Sequence, residues 1–350
     1  VTTTVPKHFF NIALVALLTG CASDPVDYSN YPSPVNTAQS MPQNPYLRIK
    51  PKQPPPPQTS YRHESNYDRY SDYSSNGNYT NNYAVRDFIQ QMANKHGFSE
   101  SYLNGLFAKA QRLDSVIRLE SPAPSTGPSK PRLGSWTRYR NKFLTDDHIR
   151  HGVEFWHENA TAIQQASQTY GVDPEYIVGI IGVETYFGRN IGKTCVFDAL
   201  TTLSFDTHRR SKYFMSELEN FLLMTREEDY DPREPLGSWA GAMGLGQFMP
   251  SSFRKLAVDF DHNGRRDLWH AKDAIGSVAH YFSKNGWQYR SPVTQQADDP
   301  YGSAVIELST YEGNEYWQVH HNFKVIKRYN NSNKYAMAVH QLAQAIKQQY

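Results

Sequence analysis

Apolar residues return at every third or fourth position along 85–96, 100–111, 148–170, 174–187, 208–228, 273–285 and 334–349, a period that predicts amphipathic helices. One stretch reads differently. Within 301–329, the runs Ala304-Val-Ile-Glu-Leu308, Tyr316-Trp-Gln-Val319 and Phe323-Lys-Val-Ile326 favour short strands. The expected fold is therefore mainly α, with one small β piece inserted before a final helix. No internal repeat is visible.

The N-terminal part lacks these periods. Residues 1–21 join one basic residue, Lys7, to an apolar run too short to span a bilayer, which is the pattern of an export signal. Its end, Leu18-Thr19-Gly20-Cys21, resembles the lipobox of bacterial lipoproteins. That implies cleavage before Cys21 and lipidation of its thiol; an ordinary secretory signal with a chance cysteine is the alternative. Ala22 and Ser23, with no aspartate after the cysteine, imply sorting to the outer membrane of a Gram-negative cell, facing the periplasm. Val1 in place of methionine implies an alternative start codon. Residues 22–83 are rich in Pro, Tyr, Ser and Asn and poor in aliphatic side chains, so they cannot bury enough surface to offset the entropy of ordering. They read as a flexible tether, with adhesive tyrosines as the alternative.

Composition removes several functions. A net charge of +2 without a Lys/Arg-rich run gives no footprint for nucleic acid. Cys195 is the only cysteine besides Cys21, so the globule has no internal disulfide, and Cys195 reads as a small buried hydrophobe. His208, His262, His270, His280, His320 and His321 show no zinc spacing, and Gly-x-Ser-x-Gly is absent. A catalytic metal and a Ser or Cys nucleophile are both disfavoured.

The residue that invites chemistry is Glu184. It ends a segment with Asp173 placed as N-cap, Pro174 at the first helical position and Gly188 as a stop. Ile177, Ile180 and Ile181 precede it at helical spacing, which points its carboxyl among aliphatic side chains. Such a setting raises a carboxyl pKa towards neutrality, as a general acid requires. The plain alternative is a glutamate that reaches solvent at a helix end.

Three other motifs stand out. Asp259-Phe-Asp261-His-Asn263-Gly264-Arg265 matches the opening of an EF-hand loop, with a turn glycine at position six and a backbone carbonyl at seven. The loop then departs from the rule: position twelve is His270, and Asp273 is the next acid able to close it. An Asp/Asn/Gly-rich turn that binds nothing is the alternative. Between Ser238 and Pro250, a glycine-rich stretch lacks the lysine of a P-loop and offers Ser238 and Gln247 as hydrogen-bonding groups. Arg209-Arg210 either grips a carboxylate or is solvated charge.

Taken in order, Gly182-Val-Glu184-Thr, the run Asp198–Phe205 followed by Arg209-Arg210, Gly241–Ser252 and Ala274–Ala279 resemble the lytic murein transglycosylases of glycoside hydrolase family 103. The resemblance runs from Trp136 to Gly286 and resumes at Arg328–Asn330 and Tyr335–Val339. It implies a mainly α, lysozyme-like core (161–287) flanked by a helical lobe (84–160, joined by 334–350) and a small β lobe (288–333). It implies cleavage of the bond between N-acetylmuramic acid and N-acetylglucosamine, leaving 1,6-anhydromuramic ends, with Glu184 as the single acid/base. Tyr139, Arg209, Arg210, Ser238, Gln247, Tyr281, Tyr329, Asn330 and Tyr335 fall on glycan-lining positions of that family. Asp259, Asp261, Asn263, the Arg265 carbonyl and Asp273 match its calcium ligands. The implied partners are peptidoglycan strands and the outer membrane, with a monomeric chain and no organic cofactor. The segment between Tyr281 and Tyr329 is shorter than in enterobacterial members, which implies a trimmed β lobe. Two rivals stay open: a hydrolytic muramidase using Asp206 or Asp229 as a second carboxylate, and a non-catalytic peptidoglycan-binding lipoprotein.

Overall fold

The structure is a computed structural model, and it describes residues 79–120 and 133–350. The lipobox with Cys21 and nearly all of the tether lie outside those residues. The first helices are α1 (Tyr83–His96), α2 (Glu100–Ala108), α3 (Asp114–Glu120), α4 (Ser135–Arg140), α5 (Asp146–Glu158), α6 (Ala160–Tyr170) and α7 (Pro174–Thr185). Then come β1 (Thr194–Cys195), α8 (Val196–Phe205), α9 (Ser211–Glu227), β2 (Leu236–Gly237), α10 (Pro250–Leu256) and α11 (Ala271–Lys284). The chain closes with β3 (Thr294–Ala297), β4 (Val305–Ser309), β5 (Asn314–Val319), α12 (His321–Tyr329) and α13 (Asn333–Gln349). Among the described residues no helix is long and apolar enough to cross a membrane.

The centre of the fold is α7, buried on every face rather than along one stripe. From Glu175 to Val183 each residue is buried, and α13 and α5 pack against it. Its polar atoms are satisfied at the seams: Lys347 reaches Glu175 at 2.6 Å, and the Tyr176 hydroxyl meets His340 Nδ1 at 2.8 Å. Asp173 precedes the helix but makes no capping bond. Its carboxylate instead accepts Trp287 Nε1 at 2.9 Å and the Arg290 N–H at 3.1 Å, tying α7 to the start of the β lobe.

Three expectations change. The apolar period over 148–170 is split at Asn159, whose side chain takes the Phe155 carbonyl at 2.9 Å as one helix ends and the next begins. Phe323–Ile326 is not a strand. Asn322, Phe323, Val325 and Ile326 are buried while His321 and Lys324 are exposed, which is the two-sided pattern of helix α12 laid on α13. The third strand is instead Thr294–Ala297, giving an antiparallel sheet of order β3-β5-β4 with Gln296 opposite Trp317 and Ile306 opposite Trp317. The end of the segment read as tether belongs to the fold: Tyr79 is buried, and its hydroxyl donates to Asp206 at 2.5 Å.

Candidate active site

Glu184 occupies the last turn of α7, where the helix is cut off abruptly. Tyr186, Phe187 and Gly188 follow with φ of 52°, 58° and 81°, so three successive left-handed residues turn the chain away. Two of them carry side chains, a conformation that costs roughly 1–2 kcal/mol per residue. Packing compensates. The Phe187 ring lies under Gly182, where an added Cβ would sit 2.6 Å from it. His148 seals the same turn from α5. Burial pushes its pKa down to about 4, so the ring is neutral, and Nε2–H donates to the Gly182 carbonyl at 3.0 Å.

The Glu184 side chain is partly exposed on an otherwise buried helix. Burial pushes its pKa up to about 7, and a hydrogen bond from the Tyr335 hydroxyl to Oε1 at 2.5 Å works the other way. Tyr335 is fixed because Ser332 caps α13 by accepting the Tyr335 N–H at 3.3 Å. Burial raises the Tyr139, Tyr329 and Tyr335 hydroxyls, and the Glu184 charge adds to the rise in each, which places all three around it. Tyr281 joins the group through its ring, 4.6 Å from that of Tyr329. The Tyr139 hydroxyl is buried and makes no hydrogen bond among the described residues.

The glycine-rich stretch forms the neighbouring wall. Met243 and Phe248 exchange backbone bonds at 2.9 and 3.0 Å, and Gln247 sits at the tip with φ 51°. Its Nε2 donates to the Gly244 and Ile191 carbonyls at 2.9 and 3.2 Å, leaving Oε1 as the atom it presents. Ser238 is buried and builds the same turn, its Oγ accepting the Ala240 and Ala242 N–H groups at 3.2 and 3.0 Å. The carbonyl of Gly246 accepts the Tyr329 hydroxyl at 2.6 Å. Asn330 lies in the short turn between α12 and α13, its carbonyl accepting Ser332 N–H at 2.7 Å.

The expected arginine pair has a protein partner of its own. Arg209 and Arg210 both face Glu120, a fully buried carboxylate; Arg210 reaches it through Nε at 3.0 Å and Nη2 at 2.5 Å. Of the two candidate second carboxylates, Asp206 accepts the Tyr79 hydroxyl and faces Arg112, while Asp229 sits in a left-handed turn after α9. The rise at Glu184 has no contribution from another carboxylate.

The acidic loop gathers Asp259, Asp261 and Asp273, whose ligand oxygens lie within 4.8 Å of one another. Asp273 is fully buried at the start of α11 and accepts the Phe260, Asp261 and Asp267 N–H groups at 2.8, 3.2 and 2.8 Å. Asp259 accepts Asn263 and Gly264 N–H at 3.0 and 2.8 Å. Three converging carboxylates on a pre-shaped loop fit a hard, oxygen-seeking cation. His270, where the usual twelfth ligand would stand, caps α11 with its ring 3.5 Å from Asp261.

The Transglycosylase SLT domain matches residues 80–307 and 295–344. The chain is also 46% identical over 305 residues to the membrane-bound lytic murein transglycosylase B of Escherichia coli (strain K12), spanning 77% of this chain and 84% of that protein. This chain belongs to the lytic transglycosylase family. The transglycosylase superimposes on the E. coli lytic transglycosylase Slt35, solved in complex with bulgecin A and with calcium, at a TM-score of 0.72 and 44% identity, covering 78% of this chain and 95% of that one. It also matches SltB3 from Pseudomonas aeruginosa, solved in complex with NAG-anhNAM-pentapeptide, at a TM-score of 0.65 and 28% identity, with 75% and 78% coverage.

Three buried residues that hold this framework escaped the sequence reading. Thr185, His148 and Glu120 act on partners far along the chain, the Leu245 carbonyl, the Gly182 carbonyl and Arg210. No local spacing carries that information.

Proposed function

We propose that Glu184 is the single acid/base of this peptidoglycan transglycosylase, cleaving the β-1,4 bond between N-acetylmuramic acid and N-acetylglucosamine and leaving 1,6-anhydro ends. The observation that carries the reading is the Glu184 carboxyl itself, held near neutrality by burial and bonded by Tyr335 at 2.5 Å. With a pKa of about 7, a large share of the protein carries the proton at neutral pH. The proton passes to the glycosidic oxygen as the C1–O bond breaks, and the sugar's own N-acetyl group supports the positive charge at C1. The Glu184 carboxylate then removes the proton of the muramic C6 hydroxyl, whose oxygen closes on C1. The acid is restored and no water is consumed. A one-carboxylate site suits this route, whereas hydrolysing glycosidases use two.

Tyr139, Tyr281, Tyr329 and Tyr335 supply flat faces and hydroxyls around the scissile bond. The buried, unpaired Tyr139 hydroxyl is ready for a sugar oxygen. Ser238, Gln247 and Asn330 serve the N-acetyl and hydroxyl groups, and the exposed parts of Arg209 and Arg210, beyond their bonds to Glu120, meet stem-peptide carboxylates. The SltB3 complex with NAG-anhNAM-pentapeptide supports a peptide-bearing glycan as substrate.

The acidic loop holds calcium through Asp259, Asp261, Asn263, the Arg265 carbonyl and Asp273, in a structural role; the calcium complex of Slt35 supports the choice of ion. The core, helical lobe and β lobe divide as 161–287, 84–160 with 334–350, and 288–333. The protein acts as a monomer anchored through Cys21 at the outer membrane. The membrane-bound relative supports the anchor.

The test is mass spectrometry of muropeptides released from purified sacculi. Anhydro products one water lighter than hydrolysed ends, lost in Glu184→Gln, are expected. Hydrated reducing ends, or full turnover by Glu184→Gln, reject the reading.

A further inference from the structure

We propose that Thr185 is a positioning residue for the reaction: its hydroxyl fastens the end of α7, and the Glu184 carboxyl with it, to the glycine-rich wall of the site. The inference rests on Glu184 being the acid.

Thr185 is fully buried, and its Oγ1 lies 2.9 Å from the Leu245 carbonyl and 3.2 Å from the Ile181 carbonyl. It also accepts the Gly188 N–H at 3.1 Å. A bond from a helical threonine to the carbonyl four residues back is commonplace. The bond to Leu245, sixty residues along the chain, is not local; it joins two walls of the site. Leu245 is itself held from the far side, its N–H donating to the Leu268 carbonyl at 2.8 Å. The next carbonyl, Gly246, takes the Tyr329 hydroxyl at 2.6 Å. Adjacent carbonyls of one turn therefore anchor Thr185, the residue after the acid, and Tyr329, whose hydroxyl feels its charge.

The helix end explains why the anchor is needed. Beyond Thr185 the backbone turns left-handed at Tyr186 and Phe187, so no further helical turn holds Glu184 in place. The Thr185 hydroxyl supplies what continuation of the helix would have supplied, closing the Gly188 N–H and crossing to Leu245. Valine fills the same volume without the hydroxyl, leaves the half-buried Gly188 N–H without its acceptor, and takes the donor from the Leu245 carbonyl. Serine keeps the hydroxyl and loses only a methyl.

The experiment compares Thr185→Val and Thr185→Ser with the wild-type chain on peptidoglycan glycan fragments, measuring kcat, KM and the pH profile of kcat. Thr185→Val is expected to lose about a hundredfold in kcat, the effect of a displacement of order 1 Å at a reacting group. KM should stay within about twofold, because ground-state binding is not removed. Its basic limb should move to lower pH as the carboxyl slips towards water, and Thr185→Ser should restore both. Wild-type kcat with an unmoved limb in Thr185→Val overturns the proposal, and so does a Thr185→Ser variant as impaired as Thr185→Val. If Thr185→Val does not fold, Thr185→Ala is read in the same way, with hydrogen exchange of the Gly188 amide as a second measure. Faster exchange with the kinetic loss supports the anchor; unchanged exchange overturns it. Glu184→Gln is run alongside: its full turnover rejects the acid assignment, while the Gly188 amide still reports on the anchor.

Discussion

The Tyr335 hydroxyl stands 2.5 Å from Glu184 Oε1, two residues brought together across 151 positions of chain. The hydroxyl lowers the carboxyl pKa against the larger upward push of burial. The balance falls near 7, where a carboxyl can both give and take a proton during one turnover.

Tyr335→Phe keeps the ring and removes that opposing bond, so the Glu184 pKa should rise. The basic limb of the pH–kcat profile is expected to move up by about one to two units, the value of a hydrogen bond to a charged group. At neutral pH kcat should fall, since the carboxyl loses its orienting partner. A limb that moves down instead contradicts the assignment, and a pH–rate series reads it directly.

Stability should depend on pH through the same carboxyl, in the unusual direction. The folded pKa, about 7, lies above the ordinary 4.5, so the folded state holds the proton more tightly than the unfolded chain. This contribution is fully present below the ordinary value and is lost as pH rises through the folded pKa. Glu184→Gln mimics the protonated carboxyl at every pH and so removes only the loss on ionisation. The variant should match the wild-type melting temperature in acid and exceed it above neutrality, as thermal melts across that range will show.

The acidic loop separates two effects. Added calcium should raise the melting temperature of the wild-type protein by mass action, and Asp259→Ala should abolish that rise. Asp273→Ala should cost stability even with chelator present, because three backbone N–H groups lose their acceptor. Each buried unsatisfied donor costs about 1–3 kcal/mol, so the loss should exceed that of Asp259→Ala in denaturant titrations.

Gly182→Ala tests the packing beneath the acid. The new Cβ would meet the Phe187 ring at 2.6 Å and Leu342 at 2.9 Å. Overpacking of about 1–3 kcal/mol outweighs the gain in helix propensity of about 1 kcal/mol. Both melting temperature and kcat are expected to fall, since Phe187 belongs to the turn that follows Glu184.

The helices and the central acid were legible because their signals are local. The three-four period, the proline that opens α7 and the stop after it lie within a few residues of what they specify, whereas Asp173, read as a cap, bonds Trp287 and Arg290 instead. Phe323–Ile326 misled because four residues, read alone, alternate as well as they cycle; burial of Asn322 and Phe323 together, followed by Val325 and Ile326, decides for helix. Thr294-Gln-Gln-Ala297 gave no strand signal, since its register comes from pairing with Asn314–Val319. Glu184 could be singled out, yet its state depends on Tyr335, and Tyr335 was reached only through family resemblance. The Arg209-Arg210 pair was visible, but its buried partner Glu120 was not.

Gly246 carries a consequence for how such a site diverges. No unusual backbone angle requires glycine there; a side chain would crowd the Tyr329 hydroxyl, 3.0 Å from where its Cβ would stand, and Val278 at 3.1 Å. The same hydroxyl is bonded to the Gly246 carbonyl. The two positions are therefore coupled. A lineage that enlarges position 246 displaces the phenol at 329 by a few tenths of an ångström and strains the bond that holds a wall of the site, so change at one alters what the other tolerates.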